Sequence, residues 1–184
     1  MQRKCSGAAD QNVGLVFKLC QMKIYIDTCV ISGHAKGDLN TQEAQAFKKL
    51  LGLYINGEVS LLTSTVAKEE IDRIPEEYRT PHEGTYSQLR SIPAAGYLVL
   101  DLGFGITLLG VKQHPIYQSL AKLLKDVGDA QHLYQAHREG ALHFITVDAT
   151  TILSKASEIG KVSNVEVLLP STFVTKYFNA PVTP

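Results

Sequence analysis

Short apolar runs alternate along this chain with stretches in which apolar residues recur every three or four positions. The runs predict strands, and the three-to-four spacing predicts helices. The strands are predicted at residues 23–26, 59–62, 97–100, 142–147 and 165–169. The helices are predicted at residues 44–55, 64–74, 116–125, 128–139 and 149–157, with a further helix opened by Pro170.

Prolines interrupt this regularity between the second helix and the third strand. Pro75 ends the predicted helix, and Pro81 and Pro93 follow it. Because proline lacks a backbone donor and disfavours the interior of a helix, we expect an irregular segment here, with only a short helix over residues 86–90.

The alternation of strands and helices predicts an α/β fold. Strands joined through helices form right-handed βαβ units and a parallel sheet. The runs 24–26 and 144–147 are apolar throughout, which is typical of strands buried on both faces. We therefore expect a three-layer α/β/α fold with a central, mostly parallel sheet.

The chain length of 184 residues suits one domain. We expect this domain over residues 22–178, between an N-terminal extension (1–21) without a catalytic role and a C-terminal tail (179–184). The extension lacks the continuous apolar stretch of a signal peptide. The most apolar segment, 96–111, is interrupted by Asp101 and is too short to span a membrane, so no membrane association is predicted.

The charge balance gives no sign of a large surface for nucleic acid. Lys plus Arg number 18, as do Asp plus Glu, so the formal net charge is zero. Neutrality is compatible with a local basic rim but not with a basic surface over the whole chain. The three cysteines, Cys5, Cys20 and Cys29, lack zinc-site spacing and are too few for a disulfide framework, which indicates reduced thiols in the cytoplasm.

Two predicted strands end on an aspartate. Asp27 follows the strand 23–26, and Asp148 follows the strand 142–147. Ligands of α/β sheets bind at the carboxyl ends of the parallel strands. An aspartate there also commonly caps the next helix, and capping is the alternative for Asp148. Asp27 is followed by Thr-Cys-Val-Ile, which does not resemble the start of a helix, so capping explains it less well.

Glu70 lies on the apolar side of its predicted helix. The apolar residues of the helix 64–74 define one arc, and Glu70 falls inside this arc whereas Glu69 falls outside it. The arc consists of Val66, Ala67, Ile71 and Ile74. A carboxylate on such an arc needs a cation or several hydrogen bonds. A structural ion pair, for instance with an arginine, or a helix of shifted register is the alternative.

Asp129 opens the predicted helix 128–139. The helix dipole favours a carboxylate in the first turn, which is the structural alternative. Asp126 already provides an N-cap, however, and Asp129 shares a side of the helix with Leu133. One turn further on lies His132, for which packing or solvation is the more common situation and contact with a substrate phosphate is the alternative.

The four acids Asp27, Glu70, Asp129 and Asp148 have no basic partner in this pattern. Such carboxylates repel one another unless a divalent cation holds them. Ligands that are all oxygen select Mg²⁺ or Mn²⁺, which activate a water and offset the charge of a phosphate. The sequence therefore indicates phosphodiester or phosphoryl chemistry.

The segments that carry these acids resemble, in order and spacing, the four motifs of the PIN-domain nuclease family. The segments are Ile24–Ser32, Ser64–Ile71, Gly128–Ala136 and Phe144–Asp148. The likeness extends over residues 22–178, and the run 165–170 also resembles the closing strand of that family.

This resemblance implies a Mg²⁺- or Mn²⁺-dependent endoribonuclease that hydrolyses RNA phosphodiesters with a metal-activated water. Asp27, Glu70, Asp129 and Asp148 would hold the metal, while Thr28 and Thr146 would support the site by hydrogen bonding. Many compact members of the family are toxins of toxin–antitoxin pairs. The resemblance therefore also implies a toxin that forms a homodimer and is silenced by a small antitoxin protein.

Two features depart from the family pattern. The third residue of the first motif, often Asn or Ser, is Cys29, and Glu69 stands directly before Glu70. Two other functions stay open: a catalytically silent PIN-like module that binds RNA or protein, and a metal-dependent nuclease that acts on DNA. A phosphatase of the haloacid-dehalogenase type is disfavoured, because it requires a second aspartate at the position of Cys29.

Overall fold

The computed structural model of the chain describes residues 21–93, 98–100, 107–109 and 114–178. The strands are β1 (Met22–Ile26), β2 (Val59–Ser64), β3 (Arg90–Ile92), β4 (Leu98–Leu100), β5 (Thr107–Leu109), β6 (His143–Ile145) and β7 (Glu166–Leu168). The helices are α1 (Thr28–Lys36), α2 (Thr41–Ile55), α3 (Thr65–Asp72), α4 (Glu76–Ser87), α5 (Pro115–Leu124), α6 (Val127–Arg138), α7 (Ala156–Ser163) and α8 (Pro170–Phe178), with a 3₁₀ turn at Leu153–Lys155. The predicted N-terminal extension, apart from Gln21, and the predicted tail lie outside the described residues.

Five strands form one parallel sheet in the order β3-β2-β1-β6-β7. Strand β1 is central: Tyr25 is paired with Leu62 of β2 on one side and with Phe144 of β6 on the other. Side chains alternate between the two faces of a strand, so β1, β2 and β6 each contribute to two separate cores. The sheet is therefore the middle layer of a three-layer α/β/α fold, as the sequence predicts.

One core lies between the sheet and helices α5, α6 and α7, and it contains Tyr25, Leu62 and Phe144. The other core contains Ile24, Ile26 and other strand residues of the opposite face, packed against helices α1, α2 and α8. Successive residues of β1 thus enter different cores, which explains why the run 24–26 is apolar throughout.

The strand beside β2 differs from the prediction. It is β3 (Arg90–Ile92), in which only Ile92 is buried, whereas the predicted third strand pairs as β4 with β5 in a separate antiparallel sheet. A three-residue edge strand with one buried side chain carries too little apolar pattern to be recognised. Tyr97, the first residue of the predicted strand, lies outside the described residues.

The segment predicted to be irregular forms the twelve-residue helix α4, with Pro81 in its interior. The missing donor of Pro81 leaves the carbonyl of Glu77 without its usual partner, and Glu77 is exposed to water. Helix α4 packs on α1 and α3 and buries His82 and Thr85. Tertiary packing therefore outweighs the local effect of the proline.

The helix predicted over residues 149–157 is also displaced. Turns and the 3₁₀ segment occupy this region, and helix α7 begins only at Ala156. Among the described helices, none is long and apolar enough to cross a membrane.

Candidate functional site at the acidic edge of the sheet

The carboxyl ends of β1 and β6 lie side by side, because Ile26 is paired with Ile145. Strand β2 lies on one side of β1 within the sheet, and β6 lies on the other side of β1. Such a reversal of strand order opens a crevice at the carboxyl edge, where α/β proteins bind their ligands. Asp27 and Asp148 follow the two strands at this edge.

Asp27 is 5% exposed and its carboxylate is fixed by two neighbours. Its Oδ2 accepts hydrogen bonds from Thr146 Oγ1 at 2.7 Å and from Cys29 Sγ at 3.0 Å. The prediction that no helix starts after Asp27 is wrong, because α1 begins at Thr28. Asp27 occupies the N-cap position, yet its side chain makes no capping hydrogen bond. Its carboxylate instead contacts Thr146 and Cys29 at the carboxyl edge of the sheet.

Cys29 takes part in this arrangement, although a thiol replaces the amide or hydroxyl expected from the first motif. Its Sγ lies 3.2 Å from Thr146 Oγ1 and accepts the Val147 N–H at 3.4 Å. Burial, together with the charge of Asp27, raises the pKa of the Cys29 thiol. The thiol is therefore neutral and can donate to Asp27.

Asp148 closes the turn that follows β6. Its Oδ1 accepts from Thr150 N and Thr150 Oγ1, both at 2.8 Å, and from Thr151 N at 3.0 Å. Burial raises the pKa of Asp148, but the hydrogen bonds from Thr151 and Thr150 outweigh burial and lower it overall. Asp148 therefore closes a turn and caps no helix, since the next helix begins only at Ala156 with Lys155 at its N-cap position.

Thr151 joins Asp148 to Asp129. Its hydroxyl donates to Asp129 Oδ2 at 3.0 Å and also contacts Asp148 Oδ2. The sequence analysis did not single out Thr151. The signal that could have found it is a hydroxyl residue three positions after a strand-end aspartate, a spacing at which side chains share one turn.

Asp129 stands in the first turn of α6 without capping that helix. Asp126 is the cap, accepting from Gly128 N at 2.8 Å and Asp129 N at 3.1 Å, as predicted. The pKa of Asp129 is raised by burial and by the charges of Asp126, Asp27 and Asp148, against the hydrogen bond from Thr151. The carboxylates of this edge are therefore close enough to repel one another.

Glu70 points from helix α3 towards α6. Its side chain is 33% exposed, whereas Glu69 is exposed on the outer side of the helix, which agrees with the predicted arc. Its Oε1 approaches Gly128 so closely that a Cβ at that glycine would lie 3.3 Å away. Its Oε2 lies 3.2 Å from His132 Nε2.

His132 is the internal basic partner that the sequence analysis assumed to be absent. It is 2% exposed, so the histidine is packed in the interior, which the sequence indicated as more common than contact with a substrate phosphate. Its Nδ1 lies 2.8 Å from Tyr25 Oη, and its Nε2 lies 3.2 Å from Thr28 Oγ1. Both hydroxyls that were expected to support the site therefore contact it. The Thr28 hydroxyl contacts His132, and the Thr146 hydroxyl contacts Asp27.

The charges of His132 and Glu70 each favour the ionised form of the other side chain. Burial lowers the pKa of His132, but the hydrogen bond to Glu70 and the charges of Asp27, Glu70 and Asp129 raise it overall. Burial raises the pKa of Glu70, but hydrogen bonds from His132 and Thr28, with the charges of His132 and Arg73, lower it overall. The structural alternative for Glu70 is thus observed as a contact with a histidine in place of an arginine, and this contact is an ion pair when His132 is protonated.

The chemistry of the donors fits a hard divalent cation, because they are carboxylates, and two of them, Asp129 and Asp148, lie close enough to share the Thr151 hydroxyl. Their present orientation is not that of a formed site: within the described residues, no three His, Cys, Asp or Glu side chains form a group that could hold a metal ion. Glu70 is turned to His132, and Asp129 and Asp148 are turned to Thr151. Binding would require Asp129 and Asp148 to release the Thr151 hydroxyl, whereas Glu70 could bind through Oε1 and keep Oε2 on His132.

The fold and this edge define an α/β/α protein with an acidic site at the reversal of its strand order. In comparisons with known proteins, neither a family model nor a curated protein matched the chain.

Proposed function

We propose that this chain is a Mg²⁺- or Mn²⁺-dependent endoribonuclease whose site is the acidic edge formed by Asp27, Glu70, Asp129 and Asp148. The observation that supports the proposal most directly is that the Thr151 hydroxyl contacts both the Asp129 and the Asp148 carboxylate, so these like charges lie close together and repel each other. A divalent cation relieves such repulsion. When bound, it would polarise a water and offset the charge that develops on a phosphodiester.

The roles of the surrounding residues follow from their contacts. Thr146 and Cys29 fix the orientation of Asp27 at the end of β1. Thr151 holds Asp129 and Asp148 near each other until a ligand replaces it. Glu70 would bind through Oε1 while its Oε2 stays in contact with His132, which is itself held by Tyr25 and Thr28.

The choice of RNA, and of a toxin role, rests on the resemblance of the four motifs to those of PIN-domain nucleases. We extend the proposal on this basis to a homodimeric toxin in the cytoplasm that is silenced by a small antitoxin protein. A metal-dependent nuclease that acts on DNA would use the same acids, so substrate preference is decided by assay.

A catalytically silent binding module is the second candidate. The observation that favours it is that Glu70 is engaged by His132 and that no group of metal ligands is formed among the described residues. A silent module would bind no divalent cation at this edge, whereas a nuclease would bind one and turn Asp129 and Asp148 from Thr151 towards it.

The test compares cleavage of a labelled mixed RNA pool, and of single-stranded DNA, in Mg²⁺, Mn²⁺ and EDTA. The wild type and the variants Asp27→Asn/Asp129→Asn, Glu70→Gln and Glu69→Gln are assayed, and Mn²⁺ binding is measured by calorimetry. Glu69→Gln is the matched control, because Glu69 precedes Glu70 on the same helix but faces solvent.

We expect cleavage of RNA that needs Mg²⁺ or Mn²⁺, stops in EDTA, falls at least about 100-fold in the double variant and in Glu70→Gln, and is unchanged in Glu69→Gln. A wild-type protein that binds no Mn²⁺ and cleaves neither polymer would contradict the nuclease proposal and favour the binding module. Preferential cleavage of DNA would correct the substrate.

A further inference from the structure

His132 is enclosed by groups from three other elements of the fold. Its ring contacts Tyr25 of β1, Thr28 of α1 and Glu70 of α3, while the residue itself belongs to α6. The Tyr25 and His132 rings meet edge to face, with centroids 5.8 Å apart. With 2% of its surface exposed, the ring cannot reach a substrate, so any functional role must act through a neighbour.

The hydrogen-bond partners of His132 indicate that both of its ring nitrogens act as donors. Tyr25 Oη donates to Ser64 Oγ at 2.6 Å, which leaves its oxygen to accept from Nδ1–H of His132. On the other side of the ring, the carboxylate Oε2 of Glu70 can only accept, so Nε2–H of His132 donates to it. The imidazole is therefore held as a donor on both sides, in an orientation that Tyr25 and Ser64 determine.

The position of Glu70 is confined from the opposite direction as well. A Cβ at Gly128, in the first turn of α6, would lie 3.3 Å from Glu70 Oε1. One oxygen of the carboxylate thus lies against the backbone of α6, and the other lies against the imidazole of His132.

We infer that His132 is a positioning residue that holds the Glu70 carboxylate at the acidic edge through its Nε2–H, within the chain Ser64–Tyr25–His132–Glu70. Its importance for cleavage rests on the proposed nuclease function, whereas its coupling to Glu70 does not. An apolar side chain could fill the same volume, but it would remove one hydrogen-bond partner from the Glu70 carboxylate and one from Tyr25 Oη.

The coupling is measured with a double-mutant cycle in EDTA. The set is His132→Leu, Glu70→Leu and the double variant, with unfolding followed by circular dichroism. Each single change removes the hydrogen bond between the two residues and leaves the remaining polar group without this partner, so we expect each to lower the unfolding midpoint by roughly 4–10 °C and the double variant to lose clearly less than their sum. Additive shifts would overturn the inference.

Kinetics test the positioning role, because a misplaced carboxylate lowers kcat without weakening substrate binding. The variants are His132→Leu, His132→Gln, in which an amide N–H can replace Nε2–H, and His137→Gln, a control on the same helix that bonds to Ser163 O. We expect His132→Leu to lower kcat about 10–100-fold with KM within about 3-fold of wild type. His132→Gln should recover most of kcat, and His137→Gln should match wild type.

A kcat for His132→Leu equal to wild type, or a kcat for His132→Gln no better than for His132→Leu, would overturn the positioning role while the nuclease proposal stands. A wild-type chain that cleaves no nucleic acid would instead refute the nuclease proposal. In that case the cycle in EDTA still decides whether His132 and Glu70 are coupled. If His132→Leu does not fold, the same cycle is run with His132→Met, which also lacks an N–H donor.

Discussion

Thr146 Oγ1 donates a 2.7 Å hydrogen bond to Asp27 Oδ2, across two parallel strands that are 119 residues apart in sequence. The same oxygen accepts the Asp148 N–H at 3.0 Å. Thr146 is fully buried and Asp27 nearly so. The Thr146 hydroxyl therefore fixes both the Asp27 carboxylate and the backbone of the turn that carries Asp148.

Thr146→Val should lower the free energy of unfolding by about 1–3 kcal/mol, because Asp27 keeps its charge but loses a buried hydrogen bond. Thr146→Ser should stay close to wild type, since it retains the hydroxyl. Urea unfolding measures both variants. Thr63→Val is the control: Thr63 is also fully buried, but its hydroxyl has no hydrogen-bond partner among the described residues, so this change should be neutral or stabilising. Equal stability of the Val and Ser variants at position 146 would contradict the assignment.

Gly128→Ala should reduce cleavage several-fold with a change in stability below about 1 kcal/mol. The new Cβ would lie 3.3 Å from Glu70 Oε1 and 3.1 Å from Asp126 Oδ1, so the carboxylates must shift by a few tenths of an ångström. The higher helix propensity of alanine offsets part of this strain. Initial rates at saturating RNA and urea unfolding are measured together.

The matched control is Gly52→Ala in helix α2, where nothing lies within 4 Å of the new Cβ. It should raise stability by about 0.5–1 kcal/mol and leave cleavage unchanged. If Gly128→Ala cleaves at the wild-type rate, the close approach of Gly128 to Glu70 has no functional consequence.

Glu43 joins helix α2 to the start of α8. This buried carboxylate accepts from Ser171 N at 2.8 Å and from Ser171 Oγ at 2.6 Å. Glu43→Ala should lower the free energy of unfolding by about 2–3 kcal/mol, because it leaves the first turn of α8 without its acceptor. The rate of cleavage per folded molecule should not change. The exposed neighbour Gln45 provides the control Gln45→Ala, which should stay within about 0.5 kcal/mol of wild type.

His143 should make stability depend on pH. Burial and the charge of Lys176 lower its pKa below 6.5, against the attraction of Glu166. A histidine with a lowered pKa in the folded state contributes stability above pH 6.5, and this contribution is lost as pH falls towards the folded-state value, because the unfolded chain binds the proton first.

His143→Phe removes this titration while preserving the ring contacts with Phe173 and Tyr177. The unfolding midpoint of the wild type should therefore fall relative to that of the variant as the pH is lowered from about 7.5 to about 5.5. Midpoints that change in parallel over this range would show that His143 does not titrate differently in the folded chain.

The sequence by itself determined the layered architecture. Strands at 23–26, 59–62, 142–147 and 165–169 are confirmed, with ends shifted by a few residues, because runs of apolar residues record burial on both faces of a sheet. The arc of helix α3 likewise placed Glu70 inwards and Glu69 outwards, since helical periodicity is a local property. The nuclease assignment remains a prediction.

Tertiary structure alone decided which residues meet at the acidic edge. The strand order brings Thr146 to Asp27, and the packing of α3 against α6 brings His132 to Glu70 over 62 residues. Helix α4 forms despite Pro81, because packing on α1 and α3 outweighs the lost hydrogen bond. The local sequence pattern predicts whether a side chain is buried. The hydrogen-bond partner of a buried side chain lies in a distant segment of the sequence. Which segments meet depends on how strands and helices pair, and this pairing is a property of the whole fold.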